Sequence, residues 1–212
     1  MEGDEKMKLG KMEKRAMISQ KHAKHGIEHV ERLLQYVNLK GNQNYLEVGC
    51  GNGHVCKHLA RKYHLKVTGT DIDPEMIQFA KENIDDIPHI RFLEMNATKM
   101  HFEDNEFDIV LSFGIMHHIG DWEGALEEIS RVLKPQGFFI FGDLAYSKFT
   151  TRIFKPIAKN YGVYTIDDLI HIRSKTIKAG TKITRIEIER SNIPIPINIT
   201  VYPKNMGFLL LA

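Results

Sequence analysis

One stretch decides the fold of this chain: Tyr45-Leu46-Glu47-Val48-Gly49-Cys50-Gly51-Asn52-Gly53, an apolar segment that runs into three glycines at alternate positions. Glycine has no Cβ, so the backbone can turn sharply there, adopt a positive φ and approach a ligand closely. A helix that follows such a turn presents unpaired N–H groups at its first residues. A strand, a glycine turn and a helix in this order are where α/β proteins bind nucleotide-like ligands.

A second signal lies in the next strand-like run, Lys66-Val67-Thr68-Gly69-Thr70, which ends in Asp71-Ile72-Asp73-Pro74. Asp71 lies about twenty positions beyond the glycines, where dinucleotide-binding folds place an acid on the ribose hydroxyls. The glycines follow G-x-G-x-G, whereas the dinucleotide fingerprint that cradles a pyrophosphate reads G-x-G-x-x-G. The sequence therefore predicts a ligand that has a ribose and lacks a pyrophosphate.

These residues resemble the class I S-adenosylmethionine-dependent methyltransferases, whose first motif, E/D-x-G-x-G-x-G, is matched by residues 47–53. Segments similar to the family's later motifs follow in the family's order, at residues 70–77, 94–98, 107–119 and 129–139. The resemblance covers roughly residues 27–147 and is closest to the small-molecule branch that includes quinone-biosynthesis C-methyltransferases. It implies S-adenosyl-L-methionine as cofactor and S-adenosyl-L-homocysteine as product.

Helical and extended patterns alternate along the chain, which favours a parallel sheet covered by helices. Asp73-Pro74 is typical of an N-cap followed by the first helical residue. Helices are predicted at residues 27–37, 55–63, 75–83 and 123–133, and strands, besides those on either side of the glycine turn, at 90–95, 107–112 and 138–142. The expected fold class is α/β, a Rossmann-like doubly wound sheet.

The last part of the chain predicts a helix at residues 165–178 and strands at 183–189 and 197–202. Pro194 and Pro196 cannot lie in a central strand, so they indicate a turn between two antiparallel strands at a sheet end. The family's seven-stranded, mostly parallel sheet ends in such an antiparallel C-terminal pair. We expect a single methyltransferase domain over residues 1–212, with an N-terminal arm or lid (1–26), a cofactor-binding core (27–147) and a C-terminal helix and strand pair (148–212).

The resemblance also implies cofactor contacts. Asp71 would accept bonds from both ribose hydroxyls, because a carboxylate offers two oxygens, and Asp71→Ala is expected to weaken binding without disturbing the fold. Glu47 would accept hydrogen bonds around the glycine turn or from the ligand's ammonium, and Ile72 would cover one adenine face. Asn96 would accept from the adenine amino group, or else serves as a turn residue. The other expected contacts are Gly49, Cys50, Gly51, Gly53, Ala97, Ser112 and Phe113.

A methyl group on a sulfonium needs no activation by the protein, so catalysis requires positioning and, where the acceptor carries a proton, a base. His117 and His118 follow the predicted fourth strand and are the candidate catalytic bases, since imidazole accepts a proton near neutral pH. The competing interpretation is that one of them packs against or caps the next helix.

The net charge of +2 argues against a nucleic-acid coat, yet the charge is unevenly distributed. Residues 1–26 carry seven Lys/Arg and four Asp/Glu (+3), residues 27–147 carry eleven and nineteen (−8), and residues 148–212 carry eleven and four (+7). Basic flanks around the substrate mouth would favour an anionic acceptor. Two solvated surfaces explain the same counts equally well.

Several other classes are disfavoured. The eleven histidines include no paired spacing of a structural zinc site, so no metal is expected, and two cysteines do not make a disulfide scaffold. No apolar run is long enough for a membrane span and no signal peptide is evident, so a cytoplasmic protein is expected. An RNA methyltransferase and a non-catalytic S-adenosylmethionine sensor or partner subunit stay as alternatives, and the oligomeric state is open.

Overall fold

The computed structural model describes residues 20–35, 37–82, 84, 87–144, 185–189 and 197–203. The helices are α1 (Gln20–Leu34), α2 (His54–Tyr63), α3 (Pro74–Lys81) and α4 (Trp122–Val132), with a 3₁₀ turn at Met116–His118. The strands are β1 (Asn44–Val48), β2 (Lys66–Asp71), β3 (Ile90–Glu94), β4 (Phe107–Phe113) and β5 (Leu133–Leu144), together with β6 (Arg185–Glu189) and β7 (Ile197–Pro203).

The first five strands form a parallel sheet in the order β3-β2-β1-β4-β5. The chain thus has the predicted α/β Rossmann-like fold. Strand order reverses between β1 and β4, and in open α/β sheets the ligand crevice lies at the carboxyl ends of the strands at such a point. Val48 pairs with Ser112 at the end of this strand pair, so the glycine turn after β1 and the turn after β4 begin side by side.

Helices cover both faces of the sheet, and each face has its own apolar core. On one face, α1, α2 and α3 bury residues such as Leu33, Leu59 and Ile77. On the other, α4 and the 3₁₀ turn bury Ile129 and Met116 against the sheet. Burial on both faces explains why β4 and β5 contain nearly continuous apolar runs.

Most predicted elements are present, and the differences are at their ends. Asp73 caps α3 as predicted, accepting from the Glu75 N–H at 3.0 Å, with Pro74 as the first residue. β5 begins at Leu133, not at 138, because Leu133 already pairs with Phe107. The register then shifts past the Pro135 segment, whose proline conceals the strand in the sequence.

At the N-terminal end, α1 begins at Gln20, whereas apolar spacing predicts a helix only from residue 27. Glu31 joins this helix to α2 by accepting from Lys62 Nζ at 2.6 Å and from Tyr63 Oη at 2.7 Å. Tertiary contacts of this kind stabilise a helix whose own apolar spacing is weak before residue 27. Residues 1–19 of the predicted arm and the predicted helix at 165–178 lie outside the described residues.

Candidate functional site

A cleft opens at the carboxyl ends of β1, β2, β3 and β4. Its walls are mostly apolar, with a carboxylate, an amide and an imidazole among them. The lining residues are Val48, Gly49, Asp71, Ile72, Met95, Asn96, Ala97, Gly114, Ile115, His118 and Ile119. Of the residues expected from the sequence, Gly49, Asp71, Ile72, Asn96, Ala97 and His118 line this cleft. The cleft is not lined by the others, which lie within four positions of a lining residue in the chain: Glu47, Cys50, Gly51, Gly53, Ser112, Phe113 and His117.

The glycine turn is needed for the local packing as well as for a ligand. Gly49 has φ 74°, and a Cβ there would lie 2.4 Å from the Ile115 side chain. Gly53 has φ 72°, and a Cβ there would lie 2.6 Å from the Phe92 ring. Gly114, across the cleft, also has a positive φ, but a Cβ on it would meet no atom of the described residues within 4 Å. Its missing side chain therefore leaves open space beside the cleft.

Asp71 supports the backbone around the cleft. Its Oδ2 accepts from the Gly51 N–H and its Oδ1 from the Asp73 N–H, both at 2.9 Å. Burial raises the pKa of this carboxyl, against the lowering effect of those two bonds. Each oxygen keeps a second lone pair, so the geometry is compatible with the predicted ribose contacts. The expectation that Asp71→Ala leaves the fold undisturbed is revised, because both N–H groups would lose their acceptor.

Glu47 points away from the cleft lining and into the core. The side chain is buried, and its Oε2 accepts from the Cys56 thiol at 2.9 Å. Burial raises the pKa of this carboxyl to about 8, more than the Cys56 bond lowers it. The group is therefore mainly protonated at neutral pH, and a bond to the ligand's ammonium would require it to ionise. Its role as a cofactor contact stays a prediction.

Asn96 has its oxygen fully engaged within a turn. Oδ1 accepts from the Thr98 N–H at 2.9 Å and from Thr98 Oγ1 at 3.0 Å. Because a carbonyl oxygen has two lone pairs, this arrangement leaves the NH₂ group to face a ligand as a donor. The structure favours the turn interpretation of this residue over the predicted acceptance from an adenine amino group.

The two histidines after β4 lie on a turn that a buried acid holds in place. Asp143, near the end of β5, is 2% exposed. Its Oδ2 accepts from the N–H groups of Met116 and His117, and its Oδ1 bonds to Nδ1 of His117. The ring centroids of His117 and His118 are 4.0 Å apart. The turn therefore places His118 in the cleft lining and His117 beside it, in contact with Asp143.

Sequence reasoning did not single out Asp143, although an acid that follows Phe138-Phe139-Ile140-Phe141-Gly142 is an unusual end to a buried strand. His29 of α1 was also missed. Its ring is buried, with the centroid 5.6 Å from that of Phe113, and only the tertiary fold brings these two residues together. Near them, Ser112 is fully buried, and its hydroxyl has no hydrogen-bond partner among the described residues.

Within the described ranges, no group of three or more His, Cys, Asp and Glu side chains is placed to hold a metal ion. No helix in the described part of the chain is both long and apolar enough to cross a bilayer.

The sheet order and the carboxylate at its switch point define a Rossmann-like ligand-binding protein. Residues 46–141 match the family model described as "Methyltransferase domain". This segment therefore carries a methyltransferase domain, and over it the chain is similar to the class I S-adenosylmethionine-dependent methyltransferases of the small-molecule branch.

Curated relatives carry more than one kind of name. The chain is 32% identical over 134 residues to a demethylmenaquinone methyltransferase of Staphylococcus saprophyticus, 32% over 146 residues to phosphoethanolamine N-methyltransferase 1 of Arabidopsis thaliana, and 39% over 95 residues to a mitochondrial arginine-hydroxylase of Danio rerio. These matches cover 62%, 68% and 45% of the chain. The chain spans only 56%, 30% and 29% of the relatives' own lengths.

Solved structures agree on the fold. A putative sarcosine dimethylglycine methyltransferase from Galdieria sulphuraria aligns with a TM-score of 0.71 at 16% identity, covering 89% of each chain. Phosphoethanolamine N-methyltransferase 2 of Haemonchus contortus, in complex with S-adenosyl-L-methionine, aligns with a TM-score of 0.69 at 18% identity, covering 84% of this chain and 52% of that one. At these identities the likeness shows the fold alone.

Proposed function

We propose that this protein transfers a methyl group from S-adenosyl-L-methionine to a small-molecule acceptor and releases S-adenosyl-L-homocysteine. The observation that carries the proposal is the cleft at the switch point, where the Asp71 carboxylate lies among apolar walls inside the segment that matches the family. A carboxylate suits a vicinal diol, and apolar side chains suit a purine face.

The residues present fit this cofactor. Asp71 would hold the ribose, and Ile72 with Ala97 would flank the adenine. The open backbone at Gly49 and Gly114 would admit the methionine portion. The NH₂ group of Asn96 would donate to a ring nitrogen of the base, since its oxygen already binds Thr98. Cys50, Gly51 and Gly53 would shape the cleft through the turn on which they lie, and Ser112 and Phe113 through the end of β4.

When bound, S-adenosyl-L-methionine supplies an electrophilic methyl group whose thioether leaves with the bonding electron pair. The protein's part is then to orient the acceptor in line, exclude water and remove a proton where the acceptor has one. The turn that carries His117 and His118 lies at the cleft and is the source of the candidate base.

We propose an anionic acceptor as the finer specificity. The support is the charge distribution, with +3 over residues 1–26 and +7 over residues 148–212, flanking a core that carries −8. The name of the Arabidopsis thaliana relative includes a phosphorylated amine, in keeping with this idea. Demethylmenaquinone, from the name of the Staphylococcus saprophyticus relative, is the uncharged comparison.

A non-methyltransferase role is the second candidate, favoured by one specific observation. A relative as similar as the Danio rerio protein is named an arginine-hydroxylase, and one fold hosts several chemistries. A sensor that binds the cofactor without turnover belongs to the same alternative. An RNA methyltransferase is disfavoured, because β4 ends in Ser112-Phe113-Gly114 and lacks the Asn/Asp-Pro-Pro-aromatic motif of nucleic-acid amino-methyltransferases.

The deciding experiment is isothermal titration with S-adenosyl-L-methionine and S-adenosyl-L-homocysteine, with NAD as control, followed by methyl transfer from labelled cofactor to phosphoethanolamine and demethylmenaquinone. Micromolar binding, about −8 kcal/mol, to the sulfur ligands alone would support the cofactor. Labelled product would support the enzyme, whereas binding without product from any acceptor offered would favour the sensor. No binding of either sulfur ligand would overturn the proposal.

Three broader proposals accompany the function. The chain would form one domain, and its sheet would be completed to seven strands by an antiparallel C-terminal pair. The register that sets residues 197–203 opposite β5 and residues 185–189 supports this completion. The third proposal is the cytoplasmic location expected from the sequence, which cell fractionation would test.

A further inference from the structure

Asp143 lies where β5 reaches the histidine turn, and its two oxygens do different things. Oδ2 accepts from the backbone N–H groups of Met116 and His117, which fixes the turn. Oδ1 instead meets the side chain of His117 at Nδ1. The carboxylate itself is fully buried, whereas the His117 side chain is 15% exposed. An acid that served only as a cap would need the first pair of bonds and not the second.

The bond to Nδ1 determines which nitrogen of His117 carries the proton. An ionised carboxylate can only accept hydrogen bonds, so the neutral imidazole must place its proton on Nδ1 and its lone pair on Nε2. The same ring lies 4.0 Å from that of His118, which lines the cleft. The contact with Asp143 thus fixes which atom of the His117 ring can accept a proton, one residue before the histidine that lines the cleft.

We propose that Asp143 is a positioning residue that holds His117 in the Nδ1–H tautomer, and that His117 is the base of the pair. The inference rests on the proposed function and deepens it. The proton of the acceptor would pass to Nε2 of His117, and its bonding pair would stay on the acceptor atom. The resulting imidazolium would donate from Nδ1 to the Asp143 carboxylate, which stabilises the new positive charge in a buried place.

Asp143→Asn separates this role from simple capping. The amide oxygen can still accept from the two backbone N–H groups, so the turn keeps its cap. The amide NH₂ then faces Nδ1 as a donor, which forces the proton of His117 onto Nε2 and removes the lone pair. Asp121→Asn is the matched control, because Asp121 caps α4 through the Gly124 N–H at 3.1 Å and bonds to no histidine in the described part of the chain.

The first readout needs no substrate. Nitrogen-15 spectra of histidine-labelled protein report the tautomer of each ring, and His117→Gln assigns the His117 signal by its loss. We expect Nδ1–H in the native protein and in Asp121→Asn, and Nε2–H in Asp143→Asn. A native Nε2–H tautomer, or an unchanged tautomer in Asp143→Asn, would overturn the inference. Should Asp143→Asn fail to fold, the native tautomer alone decides this part.

The second readout is turnover with labelled S-adenosyl-L-methionine and whichever of phosphoethanolamine and demethylmenaquinone is methylated. We expect kcat to fall by about 10²- to 10⁴-fold in Asp143→Asn and in His117→Gln, with KM for the cofactor little changed. The double variant should lose no more than either single one. A kcat within about twofold of native in either single variant would overturn the base assignment.

Failure of the proposed function would look different. A protein that binds no S-adenosyl-L-methionine would refute the methyltransferase while the His117 tautomer still tested the Asp143 contact. Normal cofactor binding and turnover with an Nε2–H native tautomer would refute the inference and leave the methyltransferase intact.

Discussion

Replacement of Glu47 by glutamine isolates one buried acid whose ionisation opposes folding. Glu47 is 5% exposed in β1, and burial raises the pKa of its carboxyl from 4.5 to about 8. Glutamine has nearly the same shape and keeps an oxygen that can accept from the Cys56 thiol, as Oε2 does at 2.9 Å. The substitution therefore removes the titration with little change in packing.

The sign follows from proton binding. Between pH 4.5 and about 8 the unfolded chain releases the Glu47 proton and the folded protein retains it. The folded state then binds more protons, so this group makes the free energy of unfolding fall as pH rises, by about 1.4 kcal/mol per pH unit. In Glu47→Gln this carboxyl is absent, so the free energy of unfolding does not fall with pH for this reason. Relative to the native protein, it should gain about 3 kcal/mol of stability on going from about pH 5 to about pH 7.

Urea unfolding of both proteins at several pH values measures this difference. Glu127→Gln, which alters an exposed glutamate of α4, is the control and should follow the native protein throughout. A stability difference between Glu47→Gln and the native protein that stays constant with pH would refute the reasoning, because the carboxyl would then titrate as a solvated group. If the cofactor's ammonium binds Glu47, it favours the ionised carboxylate. Saturating S-adenosyl-L-methionine should then reduce the change with pH in the stability difference between Glu47→Gln and the native protein.

Three further outcomes are expected. Asp71→Ala should weaken S-adenosyl-L-methionine binding at least about tenfold, as measured by calorimetry. It should also lower the free energy of unfolding by about 2 kcal/mol, because two N–H groups lose their acceptor. Unchanged affinity would contradict the ribose role of Asp71. In urea unfolding, Gly53→Ala should lower the free energy of unfolding by about 3 kcal/mol and Gly114→Ala by about 1 kcal/mol. Both glycines have a positive φ, but of the two it is Gly53 whose added Cβ would meet the Phe92 ring. Equal losses in the two variants would exclude side-chain packing as the cause of the difference. Burial raises the pKa of Glu31, but hydrogen bonds with Lys62, Tyr63 and His58 lower it overall. The stability that Glu31→Gln removes should therefore be present above pH 4.5 and disappear in acid. A stability difference between this variant and the native protein that persists in acid would contradict this assignment.

Local patterns predicted most of the sheet and half of the cleft. The alternating helix and strand periods were sufficient for the fold class, because each period reflects which side of a single element is buried. The Asp73 cap was predictable because its bond spans only two residues. The start of β5 was not, since its pairing with Phe107 lies across the sheet and Pro135 disguises the strand.

By itself, the sequence determined the order of the elements, the glycine turn and the acid at the end of β2, since each depends on neighbouring residues. Only the tertiary structure decided that Glu47 faces Cys56, that Asp71 holds the Gly51 N–H and that Asp143 meets His117. The Asp143 contact joins residues 26 positions apart, one on β5 and the other on the turn after β4. No local pattern encodes such a pair, because the register of the parallel sheet sets which strand ends meet.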